Sequence, residues 1–409
     1  MLDYLIPEQE VLAPDALVQQ LAASPLQEPF TEAVLTFITE LSRSILMDRA
    51  LRDFPELIAL AHWFRPSQLQ AIKADFEQRR CSKIHRPRGL VFHIAPANVD
   101  SIFVYSWLLS LLVGNANLVR VSQRRNEQMR HFFSKVNKLL QDQWFLALRQ
   151  ANAVVSYGHD EAITALFSAA CQMRVIWGGD DTIRQIRAIS LSPLATELAF
   201  ANRFSLALLK SQAVIDCGSE ALHQLAVDFY NDAFWFNQQA CSSPRAVFWI
   251  GDAAINQAAQ QRFWPALGEI VRSKYPDNEP AQVMDRLTAV YQYSALHEMA
   301  KVMDKQYPLL TRIQLEALTA EDRNLHCGNG LFLELERKSL SDVPSILSPQ
   351  DQTLIYFGFE KQDLISLLPD IPPHAADRMV PAGKALDFDV TWDGCYLPFC
   401  FTREIGILS

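Results

Sequence analysis

From residue 89 onward, short apolar strands alternate with helical stretches, and that rhythm restricts the fold more than any other feature of the chain. GLVFHIA (89–95), NLVRVS (117–122), NAVVSY (152–157) and MRVIW (173–177) are near-continuous apolar runs. Runs of this kind are buried on both faces, and strands separated by helices run parallel. The expected architecture is therefore an open, doubly wound α/β sheet. Pro96 stops the first strand, Asp100 is placed to cap the helix that begins at Ser101, and Gly114-Asn115 ends it. NEQMRHFFSKVNKLLQDQW, DEAITALFSAA and DTIRQIRAI supply the other helices.

Before this region, residues 1 to about 80 read as helical, with apolar positions at three- and four-residue spacing in TEAVLTFITELSRSILM and FPELIALAHWF. After FSLALL, near residue 212, a second unit is expected. It holds a long helix (SEALHQLAVDFYNDAFW), a polar turn around Cys241, the strand AVFWI, the loop LHCGNG and the strand LFLEL. The predicted division is a helical region at 1–88, a nucleotide-binding domain at 89–212, a second α/β domain at 213–380 and a tail at 381–409. That tail returns to the first domain or to a subunit interface.

The 409 residues carry a net charge of −9, which gives a nucleic-acid partner no global electrostatic support. The seven cysteines are scattered and odd in number, which points to free thiols in a reducing, cytoplasmic setting. No signal peptide is read at MLDYLIPEQE. The most apolar window, IFVYSWLLSLLV (102–113), falls short of the ~20 residues a membrane span needs, so a buried helix is expected. The aspartates of DFDVTWDG are explained by strand alternation and an Asp-Gly turn, so no metal is expected.

A parallel sheet binds ligands at the carboxyl ends of its strands, beside helix N-termini. The GxGxxG fingerprint is absent, as are Walker A and HExxH patterns. Three strand ends are candidates. Pro96 and Asn98 offer a rigid exit and a side-chain amide, or form an ordinary turn. Arg120, Ser122, Arg124 and Arg125 precede any acid, which favours a 2′-phosphorylated dinucleotide or simply a solvated helix start. Gly178 and Gly179 permit close backbone approach to a ligand, or make a plain glycine turn capped by Asp180 or Asp181.

Among the cysteines, Cys171, Cys217 and Cys400 sit within apolar patterns and read as core fillers. Cys241 lies in NQQACSSPR, among Asn237, Gln238, Gln239, Ser242 and Ser243. Its surroundings suit a nucleophile and a filler equally. Cys327, beside His326, is the rival thiol.

FNQQACSSPR resembles the nucleophile segment of the aldehyde dehydrogenase superfamily, and IAPANVD its Pro-x-Asn turn. Together with GNANLVRVS, VIWGGDDTI and RMVPAGKALDFDVTWDG, these ordered motifs resemble the LuxC-type acyl-CoA reductases from about residue 89 to the C-terminus. The resemblance implies an aldehyde dehydrogenase-like α/β fold, with a Rossmann-type cofactor domain and a catalytic domain meeting at a cleft. It implies NADPH-dependent reduction of an acyl-CoA or other acyl thioester to an aldehyde, through an acyl-cysteine. It makes Cys241 the nucleophile, and Asn98 with the Cys241 N–H the oxyanion hole. Pro96, Arg120, Ser122, Gly178, Gly179 and Glu197 fall on the cofactor side. Glu197 is divided between cofactor contact and structural residue, because the glycines that follow the hydrolytic glutamate of aldehyde dehydrogenases are here Ala199 and Phe200. A homo-oligomer and an acyl-donor partner enzyme are also expected. The rival readings are an aldehyde dehydrogenase running towards acid, a thiol acyltransferase without nicotinamide, and a non-catalytic partner subunit.

Overall fold

The structure is a computed structural model that describes residues 2–8, 12–52, 54–96, 101–124, 127–275, 279–303 and 309–407. The chain divides into two compact units. The first comprises residues 1–202, 388–391 and 395–409, and the second residues 203–387 and 392–394.

The first unit holds β1 (Asp3–Ile6), β2 (Ile84–Pro87), β3 (Leu90–Ile94), β4 (Ala116–Val121), β5 (Asn152–Ser156), β6 (Met173–Trp177) and β7 (Thr196–Phe200). Six of them form a sheet in the order β1-β5-β4-β3-β6-β7, and β2 pairs separately with Thr402–Ile405. Within the six, all but β1 run parallel. From β3 the chain winds outward through β4 to β5, then returns to lay β6 and β7 on the other side. The switch point thus lies between β3 and β6. The apolar helix Ile102–Leu112 is buried on nearly every side, as its composition requires. No helix among the described residues is long and apolar enough to cross a membrane.

The N-terminal region is not wholly helical. Helices occupy Pro14–Ala22, Glu32–Leu46, Pro55–Trp63 and Pro66–Arg80, but β1 pairs antiparallel with β5. Four residues are too few to show a period. What recruits them is the open backbone edge of β5, a property of the assembled sheet.

The second unit holds β8 (Phe204–Lys210), β9 (Pro244–Ile250), β10 (Lys301–Val302), β11 (Thr311–Gln314), β12 (Leu331–Arg337), β13 (Asp351–Phe357) and β14 (Arg378–Pro381). Their order is β10-β11-β12-β9-β8-β13-β14, parallel except for β10. Alternate residues feed two cores. Leu206, Leu208 and Phe248 pack on one face, and Ala207, Leu209 and Trp249 on the other.

Two expected boundaries move. The second unit begins at residue 203 instead of about 212, because FSLALLK is the central strand β8, bonded to β9 and β13. The tail does not leave at residue 381 as one piece. The carboxylate of Asp232 accepts the Gly383 and Ala385 N–H groups at 2.7 and 2.9 Å, and residues up to 387 stay with the second unit. Only 388–391 and 395–409 join the first.

A polar seam runs through the first sheet. On β3, the fully buried His93 faces the Asn117 Oδ1 at 3.1 Å through Nε2 and the Ser106 Oγ at 3.1 Å through Nδ1. A carboxamide oxygen only accepts, so Nε2 carries the hydrogen. Asn117 in turn donates to Asn152 Oδ1, which also accepts the Trp107 indole N–H. Burial pushes the His93 pKa down to about 4. In the unfolded chain the ring protonates near 6.5, so the folded form binds fewer protons between those values. The stability this ring contributes is complete above about pH 6.5 and is lost as pH falls towards 4. A shift of this size is worth up to about 3 kcal/mol. Urea unfolding at pH 7 and pH 4.5 should show a loss of that order in wild type and a smaller one in His93→Gln.

Candidate active site

The helix Ser219–Phe234 ends where the thiol turn begins. Asn237 and Gln238 both take left-handed backbone angles, φ 52° and 58°. That conformation costs a non-glycine side chain about 1 kcal/mol or more, so other contacts must hold it. Gln238 supplies them from a fully buried position. Its Nε2 donates to the Pro244 and Leu331 carbonyls, both at 3.0 Å, and its Oε1 accepts the Gly330 N–H at 2.7 Å. Gln239 donates to the Cys327 carbonyl at 2.9 Å, and the Asn329 N–H reaches the Asn237 carbonyl at 2.8 Å. The thiol turn is therefore laced to the LHCGNG loop. Gly328 is required there: at φ +72°, a Cβ would stand 2.5 Å from Gln239 Nε2 and 2.7 Å from the Asn237 carbonyl oxygen.

On the other side, the Cys241 carbonyl accepts the Ser205 hydroxyl at 2.6 Å, and Ser205 Oγ accepts the Thr353 N–H at 3.2 Å. The Ser243 hydroxyl donates to the Asp232 carbonyl at 2.7 Å. Cys241 thus stands at the amino ends of β8, β9 and β13. It is half-buried, so it is not a core filler within a regular apolar element. Burial, reinforced by Asp393, pushes its thiol up to about 11, while Arg245 and Arg203 act in the opposite direction. The thiol is accordingly protonated at neutral pH, contrary to the lowered value expected of a nucleophile at rest.

Cys327 is half-buried as well, with Asp285, Arg286 and Arg245 acting on its thiol. Its thiol is also pushed up to about 11 by burial. The imidazole of His326 is no base for it. Nε2 faces the Leu331 carbonyl at 3.0 Å, Nδ1 accepts the Gly328 N–H at 3.1 Å, and burial drives the ring to about 3. Cys171 is buried and pushed up to about 12, whereas Cys217 and Cys400, expected as core fillers, are half-buried.

In the first unit, Pro96 follows β3, Ser122 follows β4, and Gly178 and Gly179 follow β6, all at the carboxyl edge of the sheet around its switch point. Asn98, Asp100 and Arg125 lie outside the described residues. Arg120, near the end of β4, donates to the Tyr157 carbonyl at 3.3 Å and lies 5.4 Å from the centre of that ring. Ser122 Oγ accepts the Arg124 N–H at 3.0 Å. Ser122 and Arg124 also line a cavity of about 320 Å³ with Tyr4, Arg130 and Asn137. Gly179 precedes the helix Asp180–Ala188, and a Cβ there would meet nothing within 4 Å, so that helix N-terminus is open. Two glycines precede that helix N-terminus, and Asp180 and Asp181 stand in its first turn.

Glu197 does not join this group. It pairs in register with Arg174, one residue into β6, away from the carboxyl edge. Arg174 binds its Oε2 at 2.6 Å and Arg187 its Oε1 at 2.7 Å, so both oxygens are engaged. Among the described residues, no group of His, Cys, Asp or Glu is arranged to hold a metal ion.

Several residues of the thiol's surroundings are missing from the sequence reading. Ser205 carries no motif, and Gln238, although it lies in NQQACSSPR, owes its importance to long-range backbone contacts that the motif does not show. Arg245 stands within CSSPR but is unremarkable there, and Arg203 shows no signal. Asp393 belongs to DFDVTWDG, which reads locally as strand and turn.

A family model described as acyl-CoA reductase (LuxC) matches residues 32–397. The long-chain acyl-protein thioester reductase of Aliivibrio fischeri is 25% identical over 214 residues. That match covers 52% of this chain and 40% of the relative, so the chain spans well under two thirds of that protein. Solved structures share the fold at low identity. An aldehyde dehydrogenase from Bacillus cereus in complex with NAD+ aligns at TM-score 0.66 and 13% identity, over 99% of this chain and 92% of that one. The glyceraldehyde-3-phosphate dehydrogenase GapN of Methanocaldococcus jannaschii, complexed with NADP, aligns at TM-score 0.64 and 9% identity, over 98% of each chain. The aldehyde dehydrogenase fold expected from the motifs is thus the fold observed.

Proposed function

The chain belongs to the LuxC acyl-CoA reductase family, and from that premise we propose that it reduces an acyl thioester to an aldehyde with NADPH, through an acyl group carried on Cys241. The observation that carries this reading is the polar turn that holds Cys241 at the amino ends of three central strands, with Arg203 and Arg245 beside it.

The chemistry suits a thiol. The Cys241 thiol gives up its proton as its sulfur attacks the thioester carbonyl, and the donor's sulfur leaves with the electron pair of the broken C–S bond and takes up a proton as the free thiol. Thiolates are both good nucleophiles and good leaving groups, so this exchange needs no strong acid or base. The Cys241 N–H and the Asn98 amide are assigned to the developing oxyanion. NADPH, when bound, would supply the hydride that converts the acyl group to an aldehyde, and Cys241 leaves as its thiolate with the electron pair of the acyl C–S bond. Arg120, Ser122, Gly178 and Gly179, with Pro96 shaping the exit of β3, are assigned to hold it. Arg120 is assigned to the 2′-phosphate. The pairing of Glu197 with two arginines supports reduction over hydrolysis, since a base that activates water would waste the acyl-enzyme.

The test is a panel of acyl-CoA and acyl-protein substrates, followed by NADPH absorbance and by mass spectrometry of the Cys241 peptide. Aldehyde formation with NADPH consumption is the expected result. Acyl loading of Cys241 with no NADPH consumption on any thioester would make the protein an acyltransferase instead. Arg120→Ala should raise KM for NADPH roughly tenfold and change KM for NADH far less, because a charge-assisted phosphate contact is lost only with the former.

A further inference from the structure

Ser205 is the one polar residue between Phe204 and Leu209 in β8, and it is fully buried. Both neighbouring strands slip register against it. On the β13 side Phe204 pairs with Asp351 and Ser205 with Thr353, so Gln352 is an extra residue. On the β9 side Ser205 pairs with Pro244 and Leu206 with Ala246, so Arg245 is extra. Bulges of this kind re-aim side chains and are over-represented beside active sites. Two of them meet at this one serine.

Pro244 has no N–H to offer the ladder, and on the other side the Thr353 N–H goes to the serine's side chain instead. Ser205 Oγ accepts that N–H at 3.2 Å, which leaves its single hydrogen for the Cys241 carbonyl at 2.6 Å. The hydroxyl is therefore held in one orientation, with a defined donor on one side and a defined acceptor on the other.

The peptide between Cys241 and Ser242 is planar and trans, so its N–H points opposite to its C=O. With the carbonyl drawn onto β8, the Ser242 N–H is turned away from that strand. Ser242 is buried, and among the described residues its N–H meets no acceptor. Orphaned N–H groups in buried places are rare and costly, and one that stays free is available to a ligand. The Ser242 nitrogen is bonded to the carbonyl carbon of Cys241, so covalent geometry alone keeps this free donor in the neighbourhood of the sulfur.

We propose that Ser205 is a positioning residue for acyl transfer: by taking the Cys241 carbonyl, it presents the Ser242 N–H to the oxygen of an acyl group bound at the Cys241 sulfur. This rests on Cys241 being the acyl carrier. As the sulfur bonds to the acyl carbon, the π pair of the C=O bond moves onto that oxygen. The pair returns when the donor's C–S bond breaks; the donor's sulfur keeps the electrons of that bond and takes up the proton that the thiol gave up. A main-chain donor at that oxygen gains most while the charge resides there, so it acts on the transition state more than on binding of the acyl donor.

The test compares two reactions of the same sulfur in the full chain, without NADPH. One is acyl loading from whichever donor of the substrate panel loads wild type fastest, and the other is alkylation by iodoacetamide. Both are read by mass spectrometry of the Cys241 peptide. Alkylation displaces iodide from a saturated carbon and develops no oxyanion. Ser205→Ala should slow acyl loading about 10–100-fold, leaving both alkylation and the half-saturating donor concentration within about twofold of wild type. Ser205→Thr keeps the hydroxyl and should restore loading to within about threefold. If Ser205→Ala does not fold, as read by circular dichroism, Ser205→Cys keeps the size with a weaker donor and should show the same split to a smaller extent. Loading and alkylation slowed alike would make the serine a structural residue and overturn the proposal. Loading in Ser205→Ala within about threefold of wild type would overturn it too. Failure of wild type to load from any donor is a separate outcome: it removes the acyl-cysteine reading, and this proposal with it.

Discussion

Cys241→Ala is expected to lower the rate of acyl-thioester reduction by at least ~10⁴-fold and to eliminate the acyl adduct, because removal of a covalent nucleophile costs losses of that order. Folding should be unaffected. The side chain is half-buried, and the turn is held by backbone groups and by Gln238 and Ser205. Thermal unfolding of the variant should fall close to wild type. Cys327→Ala is the informative companion, since that thiol also lies in a polar loop. Its imidazole neighbour is occupied by the backbone on both nitrogens, so the variant should keep most of the activity. Full retention of turnover in Cys241→Ala, or appearance of the acyl label on Cys327, would move the chemistry to the other sulfur.

Gln238→Ala should produce the largest loss of stability near the site. It deletes three hydrogen bonds and leaves the Gly330 N–H and the Pro244 and Leu331 carbonyls without their partner in a buried place. At about 1 kcal/mol for each bond, the cost is roughly 3 kcal/mol. For a domain of this size that corresponds to a lowering of Tm by roughly 6–12 °C. The effect should extend to function. Asn237 and Gln238 hold left-handed backbone angles only while their surroundings impose them, and Cys241 follows three residues later. Calorimetry together with the kcat of the folded fraction tests both parts. A Tm change under about 2 °C would mean that the main chain alone holds the turn.

These two residues differ in how much of their role a sequence can carry. Cys241 was legible because a thiol between amides and hydroxyls breaks the pattern of a buried cysteine, and because the surrounding motifs occur in the family's order. Gln238, two residues before Ala240, has the same composition around it and yields no such signal. Its role is defined by partners 6, 92 and 93 residues away. The same contrast separates Glu197 from Gly178 and Gly179. All three lie near strands of one sheet, but only the fold reveals that Arg174 and Arg187 take up the glutamate.

The amino-acid sequence by itself determined the parallel α/β class, the four inner strands of the first sheet and the buried helix that follows β3. These depend on hydrophobic period, on glycine and proline at turns, and on side-chain chemistry, all of which are local. Tertiary structure alone decided that Asp3–Ile6 completes the sheet, that FSLALLK belongs to the second unit, and that Asp393 returns from the tail to pair with Arg203. The physical reason is that strand pairing and charge proximity join residues far apart in the chain, 190 positions for Arg203 and Asp393. No window along the chain contains both members of such a pair.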